Sequence, residues 1–165
     1  DVIAAMITNH QYVEDLESLE LCYQPMFSTA KNAVNMAGLV ATNILNDEYK
    51  QVNVSEVRSL VESGATIIDV REKFEYEAGH IKNAINIPMS EFRDRLDEIP
   101  TDRPVYVHCL SGQRSYNVVR ALNNMGYTNI YNISGSFLGI SEEEYYRDVT
   151  EKREPIMTEY RFDLL

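Results

Sequence analysis

The most informative stretch of this sequence is Val105-Tyr106-Val107-His108-Cys109-Leu110-Ser111-Gly112-Gln113-Arg114-Ser115. Residues 104–108 predict a buried β-strand, because two β-branched valines lie in an apolar run. A cysteine follows at once, then a short loop with a glycine, and then a helix predicted over 115–125. Ligands of open parallel sheets bind beyond the carboxyl ends of the strands. Cys109 therefore stands where a ligand site is expected.

Short apolar strands alternate with helices on both sides of this stretch. The strands are predicted over 51–54, 66–70, 84–87, 104–108 and 129–133, with helices after Ser55, from Ser90 to Leu96 and over 115–125. Such alternation of apolar strands and helices implies a parallel sheet covered on both faces. We therefore expect an α/β fold with a five-stranded parallel sheet flanked by helices.

The pattern of residue types along the chain predicts three regions. Residues 1–46 form an N-terminal helical arm, residues 47–140 the α/β domain, and residues 141–165 an acidic tail, either a solvated helix or a poorly ordered segment. The polar run Asn46-Asp47-Glu48 is the expected boundary. Because the chain opens at Asp1 without a Met or a signal segment, we expect a piece of a longer polypeptide.

Composition excludes several functional classes. Of 165 residues, 44% are hydrophobic and 25% charged, which is typical of a globular protein rather than a disordered one. No apolar run approaches the roughly 20 residues that a membrane span needs. A net charge of −11 disfavours nucleic-acid binding. Two cysteines, Cys22 and Cys109, are too few for a disulfide scaffold and fit the reducing cytoplasm.

The loop after the central strand predicts a reactive thiolate. Gly112 permits a positive φ, so that successive N–H groups can turn inward toward an anion. The helix predicted from Ser115 adds its positive end, and Arg114 adds a full charge. These effects predict a Cys109 pKa below roughly 8.5. The alternative is an inert core cysteine, but a position at a strand-to-helix turn favours a nucleophile.

Together with this loop, three further motifs resemble the rhodanese family. They are Asp69-Val70-Arg71-Glu72, Glu75-Tyr76-Glu77-Ala78-Gly79-His80-Ile81 and Asn83-Ala84-Ile85-Asn86-Ile87-Pro88. All four have the order and spacing of that family, which implies a rhodanese-like fold. The segment Asn132-Ile133-Ser134-Gly135-Ser136 is similar to the family's Leu-x-Gly-Gly turn. Ser136 replaces its second glycine, at the end of the last strand and away from the cysteine loop, so this departure hardly affects the functional assignment.

This resemblance implies sulfur transfer through a persulfide on Cys109. The donor would be a sulfane-sulfur compound, namely thiosulfate, polysulfide or a low-molecular-weight persulfide, and the acceptor a thiol. The active-site loop would comprise Leu110, Ser111, Gly112, Gln113 and Arg114, whose N–H groups can stabilise the anionic outer sulfur. Arg114 could also orient an anionic donor.

Three supporting residues also follow from the resemblance. Asp69 is expected to brace the loops and Arg71 to lie near the pocket rim, although a structural ion pair between them is an equal alternative. His80 is expected to be a hydrogen-bonded structural residue rather than a base. His108 should point to the opposite side of its strand from Cys109 and be a poor general base. We find no spacing typical of metal ligands.

The segment before the boundary resembles a second family. Residues 19–38 are similar to the C-terminal end of the dimerisation domain of flavin-dependent coenzyme A-disulfide reductases and NADH oxidases. The matching positions are Tyr23, Pro25, Phe27, Ser28, Ala30, Lys31, Asn35, Met36 and Gly38, and the departures are Met26, Asn32 and Ala33. The chain then resembles the junction of a reductase–rhodanese fusion.

The fusion implies cofactors and partners that this chain alone does not hold. FAD, NAD(P)H and coenzyme A are expected only in the intact parent protein, because no Gly-x-Gly-x-x-Gly segment occurs here. The parent is expected to be a homodimer in which Tyr23 approaches the redox cysteine of the other subunit. Its rhodanese domain would exchange persulfide sulfur with the flavin site.

Two other functions remain open at this point. Cys-loop phosphatases also place a cysteine on an anion-binding loop that ends in arginine, but with five intervening residues, where this chain has the four residues from Leu110 to Gln113. A shorter loop suits a single sulfur atom better than a phosphate. The other alternative is a non-catalytic docking module, which the retained Cys109 and Arg114 disfavour.

Overall fold

The computed structural model describes residues 1–27 and 29–162, and they fall into two compact units, Asp1–Glu48 and the part of the chain from Tyr49 onward. The matched position Ser28 and the last three residues of the predicted tail lie outside the described residues. Among the described residues, no helix combines the length and the apolar character needed to cross a membrane.

The first unit contains three helices: α1 (Val2–Thr8), α2 (Val13–Ser18) and α3 (Ala33–Leu45). Helices α2 and α3 pack closely because Gly38 has no side chain: a Cβ there would lie 2.6 Å from Glu17 N. Asn35 is buried in the same contact, and its Nδ2 donates to the carbonyls of Leu16 and Leu19, at 3.1 and 3.0 Å. This amide satisfies carbonyl groups that the end of α2 leaves unpaired.

The second unit is built on five parallel strands. In chain order its elements are β1 (Lys50–Val52), α4 (Val57–Glu62), β2 (Thr66–Asp69), α5 (Lys73–Ala78), β3 (Ile85–Asn86), β4 (Val105–His108), α6 (Gln113–Asn124), β5 (Ile130–Ile133) and α7 (Ser136–Glu151). Short 3₁₀ turns cover Val54–Glu56 and Leu96–Glu98. The strand order is β1-β5-β4-β2-β3, with every pairing parallel. The predicted α/β fold with a five-stranded parallel sheet flanked by helices is confirmed.

Each face of the sheet has its own apolar core, because alternate side chains of a strand point to opposite faces. Val105 and Val107 of β4 pack with α6 residues Val119 and Leu122 on one face. The other face is covered by α4 and α7. The buried residues of this second core are Val57, Ile67, Ile81, Ala84, Ile133, Phe137, Ile140, Ile156 and Met157. Both faces of the central strands are therefore largely covered, with Tyr106 of β4 and Tyr131 of β5 half-buried.

Helical details differ from the sequence expectation at several places. Periodicity did not predict α5, a helix of six residues in which Glu75 Oε2 accepts the Glu72 N–H at 3.0 Å. No α-helix follows Ser90, where turns lead to the 3₁₀ segment Leu96–Glu98. Helix α6 begins two residues earlier than expected, at Gln113, directly after Gly112. Short elements of this kind depend on tertiary contacts more than on local pattern.

The acidic segment from residue 141 onward is not a solvated tail over the part that the structure describes. Helix α7 buries Glu144 and Asp148, and both carboxylates pair with Arg58 of α4 and with Arg153. The Tyr160 hydroxyl also donates to Asp148. The pKa of Tyr160 is raised, mainly by burial and also by this hydrogen bond. Paired arginines allow these charges to be buried, which a charge count alone does not predict.

We predict that Arg58→Ala destabilises the second unit by about 3 kcal/mol, because it leaves two buried carboxylates with Arg153 as their remaining arginine. The measurement is urea unfolding of the whole chain. Arg103→Ala is the control, since Arg103 pairs with Asp102 on the exposed surface and its loss should leave the unfolding midpoint unchanged. Equal midpoints for the two variants would contradict the assignment of the buried network as a stabilising contact.

Candidate active site

Cys109 lies directly beyond the carboxyl end of the central strand β4, as predicted. The register pairs His108 with Asp69 of β2, and Asp69 with Asn86 of β3, so three strand ends meet at this level. Asn86 donates its side-chain amide to the carbonyls of Asp69 and Arg71, at 3.0 and 2.9 Å, which fixes the neighbouring loop. The sheet therefore supplies a rigid platform for the cysteine.

The loop turns its polar hydrogens toward the Cys109 sulfur. Gly112 has φ +112°, a conformation that favours glycine, and its N–H lies 3.2 Å from Sγ. The Ser115 hydroxyl lies 3.6 Å from the same sulfur. Cys109 itself is 1% exposed, so these donors act in a site nearly free of water.

These donors lower the pKa of Cys109. Burial raises it, but the N–H and hydroxyl of Ser115 and the N–H groups of Gly112 and Ser111 together outweigh burial. The thiolate is therefore present at lower pH than in an ordinary cysteine. The direction of this shift agrees with the sequence prediction. The hydrogen bonds of the loop are the largest causes that lower the pKa, and Arg114 also interacts with the Cys109 sulfur.

Arg114 does not stand free at the loop. Its two terminal nitrogens bind both oxygens of Glu75 in α5, at 2.7 and 2.8 Å. The Arg114 bond holds the pKa of Glu75 below its usual range, so the pair is ionised and internally neutral at neutral pH. Sequence reasoning did not predict Glu75 as a partner, because the two residues are 39 positions apart. The predicted role of Arg114 in orienting an anionic donor therefore requires this pair to open or the donor to bind beside it.

Asp69 and Arg71 form a buried ion pair, and Arg71 does not lie at a rim. Both side chains are completely buried, and Arg71 Nε and Nη2 contact the Asp69 carboxylate at 2.7–3.1 Å. Arg71 Nη2 also donates to Gly79 O at 2.7 Å, and the guanidinium lies 4.0 Å from the centre of the Phe137 ring. This arrangement matches the structural alternative, in which the pair braces the loop after β2.

His108 is buried next to this pair, and its ring nitrogens lie near oxygen atoms rather than near the cysteine sulfur. Its Nδ1 lies 3.1 Å from Cys109 O and its Nε2 lies 3.6 Å from Asp69 Oδ2. Burial lowers the pKa of His108, against the opposing effect of Asp69, so its imidazole is neutral at neutral pH. Burial raises the pKa of Asp69, but the hydrogen bonds and the charge of Arg71 outweigh burial and hold this pKa below its usual range. Since His108 is neutral, Arg71 is the cation of this group.

The two remaining predicted residues, His80 and Tyr23, belong to different units. His80 stacks on Tyr76 with ring centres 3.9 Å apart, and its Nδ1 lies 2.8 Å from Tyr76 O. Its main-chain N–H donates to Thr158 Oγ1 at 2.9 Å, contacts that suit a structural residue. Tyr23 belongs to the first unit and is 54% exposed. Its expected contact with another subunit stays a prediction.

The first turn of α7 holds the cysteine loop from behind, which the sequence analysis missed. Phe137 N–H donates to Cys109 O, and Leu138 N–H donates to Leu110 O, both at 3.1 Å. Ser136 Oγ accepts the Cys109 N–H at 3.1 Å. The expectation that Ser136 lies away from the cysteine loop is therefore wrong. The parallel pairing of β4 with β5 brings both strand ends together, a contact that only the strand order reveals.

The site has the features of a nucleophile with a stabilised anion rather than those of a metal centre. No group of three or more His, Cys, Asp or Glu side chains that could hold a metal ion occurs within residues 1–27 and 29–162. The arrangement can stabilise a negative charge on the cysteine sulfur or on one atom attached to it.

Comparisons with known proteins agree with this geometry. The model of the rhodanese-like domain family matches residues 53–143. The crystal structure of reduced Bacillus anthracis CoADR-RHD is similar to 93% of this chain, with 42% identity and a TM-score of 0.80. The structure of a NAD-dependent persulfide reductase from A. fulgidus is similar to 83% of the chain, with 32% identity and a TM-score of 0.72.

These similarities cover only part of the larger proteins. The chain spans 26% of the B. anthracis protein and 24% of the A. fulgidus protein, and 58% and 36% of the first two curated relatives. A smaller relative, the thiosulfate sulfurtransferase GlpE of Coxiella burnetii, is 32% identical over 90 residues, which are 54% of this chain and 84% of that protein. Since a single family model spans more than half of its residues, the chain belongs to the rhodanese-like domain family.

Proposed function

We propose that the second unit is a sulfurtransferase that carries sulfane sulfur as a persulfide on Cys109. The observation that carries this proposal is the convergence of the Gly112 N–H and the Ser115 hydroxyl on a buried sulfur whose pKa they help to lower. The similarity to a thiosulfate sulfurtransferase and to a persulfide reductase supports the same chemistry.

The transfer consists of two balanced displacements. The Cys109 thiolate attacks the outer sulfur of the donor, a bond forms between Sγ and that sulfur, and the bond to the donor breaks. The electron pair leaves with the donor, as sulfite from thiosulfate or as a thiolate from a low-molecular-weight persulfide. An acceptor thiolate then attacks the outer sulfur, and the Cys109 thiolate is released. Loop N–H groups stabilise the negative charge present in both steps.

The donor must deliver one atom into a nearly closed site. Because Cys109 is 1% exposed, a sulfane sulfur at the end of a small or slender group is favoured over a bulky electrophile. Polysulfide, thiosulfate and low-molecular-weight persulfides all present such a terminal sulfur. The reducing cytoplasm, where thiol acceptors are abundant, is the proposed setting.

We further propose that the chain is the C-terminal part of a flavin-dependent coenzyme A-disulfide or persulfide reductase. Supporting this, the similarity to CoADR-RHD and to the A. fulgidus reductase extends over residues of both units. FAD, NAD(P)H and coenzyme A would bind to the parent protein, a homodimer in which Tyr23 approaches the redox site of the other subunit. Cys109 would exchange sulfur with that site.

We predict that thiosulfate or a low-molecular-weight persulfide adds one sulfur atom to Cys109, and that cyanide or a thiol removes it. Intact-protein mass spectrometry measures the addition. Cys109→Ser should abolish loading, because a hydroxyl neither ionises readily nor holds a sulfane sulfur. Cys22→Ser should load as the unsubstituted chain does. An aryl-phosphate assay runs beside it. Phosphate release that depends on Cys109, without persulfide from any donor, would overturn the proposal in favour of a phosphatase.

We predict that Arg114→Ala reduces kcat/KM for thiosulfate roughly tenfold or more, because it leaves the Glu75 carboxylate uncompensated beside an anionic donor. A neutral organic trisulfide should be affected much less. The double variant Arg114→Ala with Glu75→Gln removes the unpaired charge and should recover most of the thiosulfate activity. Equal losses with the charged and the neutral donor would contradict this electrostatic explanation.

We also predict a specific pH dependence of loading by thiosulfate. The lowered Cys109 pKa means that the reactive thiolate persists below the ordinary thiol value of about 8.5 and is lost only as the pH falls through the lowered value. The loading rate, measured across a pH series, should therefore rise to its plateau at a lower pH than the ionisation of free cysteine does. A midpoint at or above that of free cysteine would contradict the geometry of the loop.

A further inference from the structure

Ser136 is a fully buried polar residue next to the Cys109 sulfur, and its side chain has no role in the transfer steps described above. It is the first residue of α7 and has φ +51°, a left-handed conformation that a side chain makes unfavourable. The rhodanese motif that this turn resembles has glycine here, which adopts such a φ without cost. A serine at this position therefore requires contacts that compensate for its backbone.

The Ser136 hydroxyl has one fixed contact and several alternatives. Its oxygen accepts the Cys109 N–H at 3.1 Å, so its own proton is available for donation. Three acceptors lie within reach of that proton: Ile133 O at 3.4 Å, Ser115 Oγ at 3.4 Å and Cys109 Sγ at 3.9 Å. The hydroxyl can thus change its acceptor by rotation alone, without movement of any heavy atom.

Ser115 offers the same choice from beside Ser136, since the two hydroxyl oxygens lie 3.4 Å apart. Its hydroxyl lies 3.0 Å from Gly112 O and 3.6 Å from Cys109 Sγ, and it is completely buried. When the sulfur is a neutral thiol, the carbonyl oxygens are the better acceptors for both hydroxyl protons. When the sulfur is charged, hydrogen bonds to it are charge-assisted and stronger, so both protons favour the sulfur.

We propose that Ser136 is a positioning residue of the transfer site: its hydroxyl holds the main chain of Cys109 and, paired with Ser115, turns its proton toward the sulfur when that sulfur is anionic. This inference rests on the proposed function, because a persulfide carrier holds charge on this sulfur or its outer neighbour in every step. Rotating hydroxyls follow that charge from thiolate to persulfide at little cost in reorganisation.

The charged groups around the sulfur do not contact the Ser136 hydroxyl. Arg114 of α6 is paired with Glu75 of α5, and Asp69 is paired with Arg71 behind the sheet end. His108 of β4 is directed to Cys109 O and to Asp69. Substitution of Ser136 therefore leaves these pairs in place, and a change in the titration of Cys109 reports the lost hydroxyl.

The test titrates the Cys109 thiolate by ultraviolet absorbance in the whole chain with Cys22→Ser, subtracting the spectrum of the same chain with Cys109→Ser. We expect Ser136→Ala and Ser136→Gly each to raise the Cys109 midpoint by about 0.5 to 1 pH unit. Ser141→Ala is the matched control. Ser141 is equally buried in α7 but donates to Phe137 O at 2.8 Å, so its loss should not shift the midpoint.

The pH dependence of sulfur loading provides the second readout. Below the midpoint, both Ser136 variants should load thiosulfate sulfur about 3- to 10-fold more slowly than the parent, and the difference should shrink at pH values where Cys109 is fully ionised. A purely structural role would lower thermal stability without moving either pH profile. Ser136→Gly keeps the test valid if Ser136→Ala unfolds, because glycine suits the left-handed backbone.

Unshifted midpoints in the folded Ser136→Gly variant would overturn this inference, whether or not the parent chain loads sulfur. The titration needs no sulfur donor, so it is independent of the proposed function. A shifted midpoint in a chain that accepts sulfur from no donor would instead reject the sulfur-transfer assignment, and with it the positioning role in transfer.

Discussion

A negative charge on a sulfur atom that is almost entirely out of water needs hydrogen-bond donors arranged before the charge appears. Cys109 is 1% exposed, and its surroundings meet this requirement with N–H and O–H groups. Two conditions make the arrangement possible. Gly112 adopts φ +112°, which turns its N–H inward, and the parallel order of β4 and β5 places Ser136 behind the cysteine. The rest of the second unit keeps these two conditions in place.

The charges near the site are organised as neutral pairs, which restricts what the site can attract. Asp69 with Arg71 is buried, and Arg114 with Glu75 is half-buried, so each cation is compensated by a carboxylate even though Arg114 also interacts with the sulfur. The chain as a whole carries −11, which repels anions at a distance. Stabilisation of the sulfur charge therefore comes mainly from N–H and O–H dipoles of the loop, whose effect falls off within a few ångströms. A site of this kind selects for one charged atom in contact rather than for a highly charged ligand.

Sequence reasoning succeeded where the information is contiguous along the chain. Strand, cysteine and glycine loop follow one another over residues 105–115, and the five predicted strands agree with the observed ones to within about two residues. It failed where partners are distant: Glu75 meets Arg114 across 39 positions, and Ser136 meets Cys109 across 27. Such contacts are set by strand order and by α5, a six-residue helix that is too short to be predicted from its periodicity. The burial of Arg71, which was expected near the pocket rim, was also missed, because it depends on Asp69, Gly79 and Phe137 together.

Helix α7 shows why the acidic end of the chain belongs to the site. The family match stops at residue 143, within this helix, yet the helix continues to Glu151 and Met157 forms a bridge with Ile81. Glu144 and Asp148, one turn apart, fasten α7 to Arg58 and thereby fix the position of its first turn. That same turn donates N–H groups to Cys109 O and Leu110 O. Buried ion pairs about two turns along the helix thus help to fix the main chain of Cys109, and the packed unit extends beyond the region that the family model matches.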